Sequence, residues 1–154
     1  MEYVSIHSVE DLLSIKPHKA YRLTCDIDCG NKKIPFLLGD FVGEIDGDGY
    51  CIKNLTISEG EITINSQPVA MFYTMSRSVI KNLKIFNLKI EVPRSVYKPE
   101  VAALCVEASD TLFENVYVEA VTTGITKLPL IYDSNNCEYV NVEVSDDMIL
   151  YKFN

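Results

Sequence analysis

The sequence has few histidines, no known catalytic motif and no apolar stretch of membrane-spanning length. It has no tryptophan, only two histidines (His7 and His18), and no stretch of about 18 apolar residues such as a membrane-spanning helix needs. Neither histidine stands beside a nucleophile motif, and no P-loop or dinucleotide-binding fingerprint occurs. The sequence therefore predicts a protein that is not an enzyme, with no catalytic residue, no cofactor, no metal site and no membrane contact.

Cysteine usage and the N-terminus both bear on the cellular compartment. The five cysteines include no Cys-x-x-Cys pair, which argues against a structural zinc site, and most stand in apolar, strand-like segments. We expect most of them to be buried, reduced thiols. Residues 1–16 lack the basic and then apolar character of a secretory signal, so a cytoplasmic protein is expected.

The net charge of the chain, 14 − 22 = −8, comes entirely from its last third. Residues 1–98 carry 12 basic and 12 acidic side chains, whereas residues 99–154 carry two basic and ten acidic ones. Such a surface repels nucleic acids and anionic membranes and attracts basic protein surfaces. The predicted partner is therefore a basic protein, and not nucleic acid or a membrane.

Four short segments repeat one pattern of apolar, charged and amide residues. Three align without gaps around a central asparagine, and the fourth has tyrosine in its place: 52–57, 80–85, 113–118 and 137–142. A second ladder lies between them, at 69–72, 101–104 and 128–131. Because the segments alternate apolar residues and are rich in β-branched ones, they predict stacked strands.

The two interleaved ladders favour an all-β solenoid, with a β-sandwich as the alternative. Ser8 begins a capping box ahead of an apolar helix face, so residues 1–20 are expected to form a strand and a helix that covers the open end. Residues 21–147 would form the stacked coils and residues 148–154 a C-terminal cap strand, all within a single domain of residues 1–154.

The central asparagines of the repeat, Asn54, Asn82 and Asn115, have a structural explanation. Equivalent residues of stacked coils lie about 4.8 Å apart, close enough for amide side chains to hydrogen-bond to one another. Asparagine also tolerates the left-handed backbone that a corner requires. We predict one amide ladder through these three residues, interrupted at Tyr139 in the fourth coil.

Two segments resemble the repeats of GLUG-type β-helical proteins. Residues 21–28 follow the pattern Y-x-L-x-x-D-I-D, and residues 41–57 follow F-x-G-x-x-D-G-x-G-x-x-I-x-N-L-x-I. The Gly-Leu-Phe-Gly element itself is degraded at 69–72 and 101–104. The resemblance implies a short right-handed parallel β-helix. It implies no single activity, because that scaffold serves adhesins, surface modules and phage proteins.

Four aspartates, Asp26, Asp28, Asp46 and Asp48, are the candidate carboxylate cluster. β-Helical pectin-degrading enzymes use such clusters for calcium binding or acid–base chemistry. Turn geometry alone explains the Asp-Gly-Asp-Gly run at 46–49, however, and no sugar-binding groove is evident. The interpretation that we favour is structural.

The second position of the repeat changes from lysine in the first two segments to glutamate in the last two. The gap-free alignment therefore predicts two acidic ladders, Glu114 over Glu138 and Glu119 over Glu143, with carboxylates about 5 Å apart. Stacked like charges are unfavourable, so they are either dispersed in water or used for binding. The predicted partner-binding residues are Glu107, Glu114, Glu119, Glu138 and Glu143.

Two functions remain open at this point. The first is a non-catalytic protein-binding module. In its sharpest form it is a phage-type, anti-CRISPR-like inhibitor that mimics nucleic acid in a bacterial cell or phage-infected host. The second is a carbohydrate-binding or tail-fibre-like adhesion module, with Tyr73, Tyr97 and Tyr117 exposed along a groove. Self-association through an open end or a lateral stripe, giving a homodimer, is a further expectation.

Overall fold

The computed structural model describes residues 2–59, 62–63, 67–95, 98–123, 125 and 127–154. This part of the chain is all-β, with one short helix, α1 (Val9–Leu12), among fifteen strands. The strands are β1 (Tyr3–Ile6), β2 (Lys19–Leu23), β3 (Ile27–Ile34), β4 (Leu38–Phe41), β5 (Gly43–Asp46), β6 (Cys51–Ser58), β7 (Ile62–Thr63), β8 (Phe72–Ser76), β9 (Val79–Glu91), β10 (Arg94–Ser95), β11 (Cys105–Ser109), β12 (Leu112–Thr123), β13 (Leu128–Asn135), β14 (Glu138–Val144) and β15 (Met148–Phe153).

All neighbouring strands in the described chain are parallel, and they form two main sheets. The eight-stranded sheet has the order β1-β2-β5-β9-β12-β14, with β6 between β3 and β9. The five-stranded sheet has the order β15-β13-β11-β8-β4, and β7 pairs with β10. This pairing argues against the alternative of a β-sandwich, whose sheets are antiparallel.

A continuous apolar core includes residues of both main sheets, from Ile6 to Met148. Phe41, Phe72 and Phe113 are among its largest fully buried side chains, and the rings of Phe41 and Phe72 lie 5.6 Å apart. Burying one such ring stabilises the fold by about 2–3 kcal/mol. The core therefore holds the two sheets together along the length of the stack.

Strand β9 shows how the asparagines shape the chain. Its buried residues follow at intervals of three and two (Ile80, Leu83, Ile85, Leu88 and Ile90), whereas a straight strand would bury every second residue. The asparagine in each three-residue interval has a left-handed backbone, with φ of 53° at Asn82 and 50° at Asn87. Each asparagine thus bends the strand and returns the next apolar residue to the core.

The N-terminal helix is shorter than its apolar face suggests. The predicted N-cap is confirmed, since the Ser8 hydroxyl accepts a hydrogen bond from the Asp11 N–H at 3.1 Å. The helix ends after a single turn, at Leu12, and packs against β1 and β3. Leu12 and Ile15 are buried in the core.

The C-terminal strand ends the five-stranded sheet. Strand β15 pairs in parallel with β13, with Leu128 beside Met148, and no further strand follows it in that sheet among the described residues. This pairing satisfies main-chain N–H and C=O groups along the edge of β13. That residues 148–154 act as a cap stays a prediction.

Strand register corrects two alignments in the first repeat ladder. Phe113 pairs with Ile80 as predicted, but Ile52 pairs with Ile85 and not with Ile80. The fourth segment is displaced by two residues, because Phe113 pairs with Tyr139. In the second ladder Val69 lies beside Val101 as aligned.

There are consequently two amide ladders, not one. Asn87 donates to Asn54, which donates to Asp28, at 2.7 and 3.0 Å. In the other, Asn141 donates to Asn115, Asn115 to Asn82 and Asn82 to Asp46, at 2.8, 3.2 and 3.1 Å. The prediction of an interruption at Tyr139 is wrong, since Tyr139 takes the core position of Phe113 and stacks on its ring.

Candidate functional site

The most regular group of charged side chains crosses the five-stranded sheet. Thr74 of β8 lies between Asp40 of β4 and Glu107 of β11, and Glu107 lies beside Asp133 of β13. We call these four residues the acidic row. Its three carboxylates are exposed, and the Thr74 hydroxyl donates a hydrogen bond to Asp40. Adjacent strands are about 4.8 Å apart, which sets the spacing of Glu107 and Asp133.

A shallow cleft of about 340 Å³ lies along part of the acidic row. Three polar residues in the same register line the cleft, each one residue before the bend that ends its strand: Ser76, Ser109 and Asn135. Asn154 also lines the cleft. The site therefore combines carboxylates with hydroxyl and amide groups, which can accept and donate hydrogen bonds. A cationic or hydroxyl-rich ligand fits this chemistry.

Counter-charges are concentrated elsewhere. The ion pairs among the described residues are His7–Asp11, Arg22–Asp46, Lys33–Glu91 and Lys81–Glu44. All of them precede residue 92, so within the described chain no ion pair neutralises Glu107 or Asp133. The acidic row thus faces solvent with its charge uncompensated by neighbouring side chains.

The two predicted acidic ladders are wrong. Glu114 lies between Lys81 and Val140, not beside Glu138, which pairs with Leu112. Glu143 lies beside Tyr117. The cause is the two-residue displacement of the fourth segment, which keeps Asn141 on the amide ladder and moves both glutamates out of line.

Glu119 has a structural partner. Strand β12 is irregular between Val118 and Ala120 where it pairs with β9, and the Glu119 carboxylate accepts the backbone N–H of Asn87 at 3.3 Å. This hydrogen bond satisfies a main-chain donor that the irregular pairing would leave without a β-ladder partner. Of the five predicted partner-binding residues, the structure places only Glu107 on the acidic row, while Glu138 and Glu143 are exposed on β14.

Asp40 and Asp133 are site residues that the sequence reasoning missed. The signal was present in the second repeat ladder, because its extension beyond residue 104 leads to Glu107. The gap-free offset of 27 between 101 and 128 was one residue too long, however, since Cys105 pairs with Ile131. A single-residue error hides the pairing of Glu107 with Asp133.

The aspartates of the candidate carboxylate cluster accept hydrogen bonds from turn backbone groups and from the amide ladders. Asp26 accepts the N–H of Cys51, and Asp28 accepts the N–H of Gly30 and the Asn54 amide. The Asn54 amide and the Gly30 N–H hold the pKa of Asp28 below its usual value, although its limited burial acts the other way. These bonds explain the carboxylates without a ligand. The described residues contain no group of three or more metal-ligating side chains placed to hold an ion.

Asp46 is the most deeply buried of these carboxylates, with 4% of its surface exposed. Burial raises the pKa of Asp46. Hydrogen bonds from the Asp48 N–H, the Asn82 amide and Arg22, together with the nearby Lys81 charge, lower the pKa by more than burial raises it. The pKa of Asp46 is therefore below its usual value. The charged form is therefore favoured in the folded state.

Acid should weaken the fold through Asp46. Because its folded pKa is depressed, the stabilisation is present above the unfolded pKa near 4 and is lost as the pH falls through the folded pKa. We expect Asp46→Asn to cost about 2 kcal/mol at pH 7 and to flatten the loss of stability between pH 5 and pH 2. Urea unfolding across this pH range measures both. The exposed Asp147→Asn serves as control, and an equal flattening there would contradict the assignment.

Histidines and tyrosines do not converge on one site. The His7 ring pairs with Asp11 at 3.0 Å, while His18 occupies a corner with φ of 64°. Tyr73 donates to Glu59 from the five-stranded sheet, and Tyr117 packs on Phe86 in the other sheet. Tyr97 lies outside the described residues. Tyr73 and Tyr117 therefore do not form the single glycan-binding groove that was considered.

The cysteines are all free thiols, three of them buried and two, Cys25 and Cys137, half-buried. Burial, with a smaller contribution from the Asp28 charge, raises the pKa of Cys29 to about 11. Burial likewise raises the pKa of Cys105 above its usual value. Such thiols are poor nucleophiles at neutral pH.

Comparison of the chain with models of protein families, with characterised proteins and with solved structures finds no match. Among the described residues, no helix is long and apolar enough to cross a membrane. The function must therefore be argued from the residues themselves.

Proposed function

We propose that this protein is a non-catalytic binding module whose acidic row docks on a basic surface of a partner protein. Its scaffold, on this proposal, is a short right-handed parallel β-helix of the kind that GLUG-type repeats form. Several paired parallel strands are separated by 26 to 35 residues in the sequence, which supports that scaffold. The core between the sheets supports it as well.

The observation that carries the proposal is the pairing of Glu107 with Asp133. Like charges directly opposite on neighbouring strands destabilise a sheet. Here the two carboxylates are exposed, belong to a region with two basic and ten acidic residues, and have no ion-pair partner in the described chain. A basic partner surface would convert this repulsion into attraction, and long-range steering would speed the encounter.

The spacing of the acidic row favours one class of partner. Asp40 lies two strands from Glu107, and Glu107 lies one strand from Asp133, so their negative charges form a line with spacings of about 10 and 5 Å. A groove built for nucleic acid presents lysine and arginine to a line of phosphates. The sharpest form of the proposal is therefore a phage-type, anti-CRISPR-like inhibitor that occupies such a groove. Glu138 and Glu143, exposed on β14, are further candidate contacts.

A carbohydrate-binding or adhesion module is the second candidate. The cleft along the acidic row contains hydroxyl and amide groups (Ser76, Ser109, Asn135 and Asn154), and Phe153 is 52% exposed beside Asp133. Glycans are bound by such hydrogen-bonding groups together with an aromatic face. Binding of this kind would be insensitive to salt.

Neutralisation of the acidic row is expected to remove partner binding. The variant Asp40→Asn/Glu107→Gln/Asp133→Asn should lower the affinity for an oligo-arginine peptide about 10- to 30-fold at low salt, because it removes three exposed charge pairs. Proteins that wild type retains from a bacterial lysate should be lost as well, and duplex DNA should displace them from wild type. Fluorescence titration and affinity capture measure these effects.

A charge-matched variant separates the acidic row from the overall charge. Glu2→Gln, Glu10→Gln and Glu100→Gln remove the same three charges from exposed positions elsewhere. We expect this control to bind nearly as well as wild type. Equal loss of binding in both triple variants, or binding that persists at high salt, would contradict the proposal. Persistence at high salt together with glycan binding would favour the second candidate.

A further inference from the structure

The last strand of the eight-stranded sheet, β14, has a free edge. The strand order of that sheet ends at β14, so no strand of the described chain pairs with its outer side. Helix α1 packs at the opposite end of the sheet, against β1 and β3. Main-chain N–H and C=O groups along such an edge can pair with one more strand, and β14 contains no proline that would prevent it.

The core-facing residues of β14 are less buried than those of its neighbour. On β12 the residues Phe113, Val116 and Val118 have at most 2% of their surface exposed. Their register partners on β14 pack on the same core but are only partly buried: Tyr139, Val142 and Val144. An additional strand would cover them as β14 covers the residues of β12.

The outer face of β14 carries negative charge without a counter-charge. Glu138 and Glu143 are exposed, and neither belongs to an ion pair of the described residues. Lys84 lies two strands from Glu143, with Tyr117 between them. Like charges on adjacent strands repel, whereas opposite charges attract. The edge therefore disfavours a second β14 and favours a strand with basic residues.

The longer amide ladder ends at Asn141 with an unused acceptor. The Asn141 amide donates to Asn115 at 2.8 Å, but no donor of the described chain bonds to its own side-chain oxygen. Its backbone is left-handed, with φ of 54°. An asparagine on an added strand would donate to this oxygen and tolerate the same bend. The edge thus selects an amide at one position of its ligand.

A segment of this chain shows which sequence meets all three requirements. Residues 79–86 of β9 have two lysines and a central asparagine among apolar residues. When the asparagine of such a segment lies beside Asn141 in a parallel strand, its second lysine lies beside Glu143. Its apolar residues then continue the core-facing positions of β14. Strand β9 itself is inside the sheet, between β12 and both β5 and β6, so a folded second copy cannot present it.

We propose that the free edge of β14 binds an extended basic segment of a partner protein, which adds one parallel strand to the sheet. The recognised pattern is apolar, basic, asparagine, apolar, basic, apolar. The edge belongs to the eight-stranded sheet and the acidic row to the five-stranded sheet. The inference therefore shares with the proposed function only the basic character of the partner.

A fluorescent, acetylated and amidated peptide with the sequence of residues 79–86 tests the proposal on the full chain. We expect saturable binding by fluorescence anisotropy, and slower amide hydrogen exchange in β14 but not in β11 or β13. The matched peptide of residues 112–119 keeps the asparagine and its apolar neighbours but has glutamate and tyrosine in place of the two lysines. It should not bind detectably. Replacement of asparagine by alanine in the basic peptide should weaken its binding about fivefold.

Variants of the protein separate this edge from the acidic row. Glu138→Gln/Glu143→Gln should weaken binding of the basic peptide at least about tenfold at low salt. The charge-matched Glu2→Gln/Glu100→Gln and the acidic-row variant Asp40→Asn/Glu107→Gln/Asp133→Asn should bind it nearly as wild type does. Thermal unfolding verifies that each variant is folded.

Four results would overturn the inference: no binding of the basic peptide, equal binding of the acidic peptide, protection of β11 and β13 in place of β14, or equal loss of binding in the control variants. Wild type that dimerises and protects β14 without any peptide would overturn it as well, in favour of a second copy of the chain. Loss of peptide binding only in the acidic-row variant would contradict this inference and leave the proposed function standing.

Discussion

Replacement of Gly47 by alanine is expected to lower the free energy of unfolding by about 3 kcal/mol. A Cβ atom at this position would lie 2.3 Å from the carbonyl oxygen of Asn82 and 2.6 Å from the Cα of Leu83. Both are backbone atoms of β9, so no side-chain rotation can relieve the overlap. Urea unfolding followed by circular dichroism at neutral pH measures the effect.

The clash also threatens the hydrogen bonds of the corner. The N–H of Gly47 donates to the Lys81 carbonyl at 2.8 Å, and the N–H of Gly49 donates to the Asn82 carbonyl at 3.0 Å. If the corner moved away from β9 to accommodate a methyl group, both bonds would lengthen and their acceptors would lose partners. Steric overlap and lost hydrogen bonding therefore act in the same direction.

Gly39→Ala is the matched control for Gly47→Ala. Gly39 lies in β4, and a Cβ added there would meet no atom within 4 Å. The same chemical change should therefore alter stability by no more than about 0.5 kcal/mol. Similar losses at both positions would show that close approach to β9 is not the reason for glycine at position 47.

The sequence predicted the corner at Gly47 but not its reason. The Asp-Gly-Asp-Gly run indicates a turn by composition, and a left-handed backbone is indeed present at Asp48 and Gly49, with φ of 52° and 83°. Gly47 is required instead because β9, more than thirty residues later, passes directly against it. Only the three-dimensional pairing of β5 with β9 reveals such a contact.

Repetition within β9 explains why the amide ladder was misassigned. The strand contains the pattern apolar, x, Asn, Leu, Lys twice, at 80–84 and at 85–89. Either copy can be aligned with the segment that holds Asn54, and the alignment without gaps selected the first. The protein selects the second, because Asn54 bonds to Asn87 while Asn82 bonds to Asp46. Local pattern predicts the strands, but register depends on which amides meet.

The candidate site depends on register even more than the fold does. Strand content and the inward apolar residues follow from period and composition, which tolerate a shift of a few positions. The adjacency of two carboxylates does not tolerate such a shift, because a shift of one residue separates Glu107 from Asp133. Glu107 was predicted as a site residue, but its neighbour Asp133 and Asp40, two strands away, were not.

Removal of the amide at Asn82 should be the most damaging single change within the ladders. Asn82 donates to Asp46 and accepts from Asn115, and its backbone is left-handed. We expect Asn82→Ala to cost about 3 kcal/mol, because two hydrogen bonds are lost and alanine is strained at positive φ. Urea unfolding measures it.

Two further variants divide this cost into its parts. Asn82→Gly removes the amide without the backbone strain, so it should cost about 1 kcal/mol less than Asn82→Ala. Asn141→Ala keeps the strain but removes only one amide bond, the one donated to Asn115 at the end of the ladder. It should cost about 1–2 kcal/mol. If Asn141→Ala were as costly as Asn82→Ala, backbone strain alone would account for the asparagines, and the amide bonds between neighbouring strands would contribute nothing.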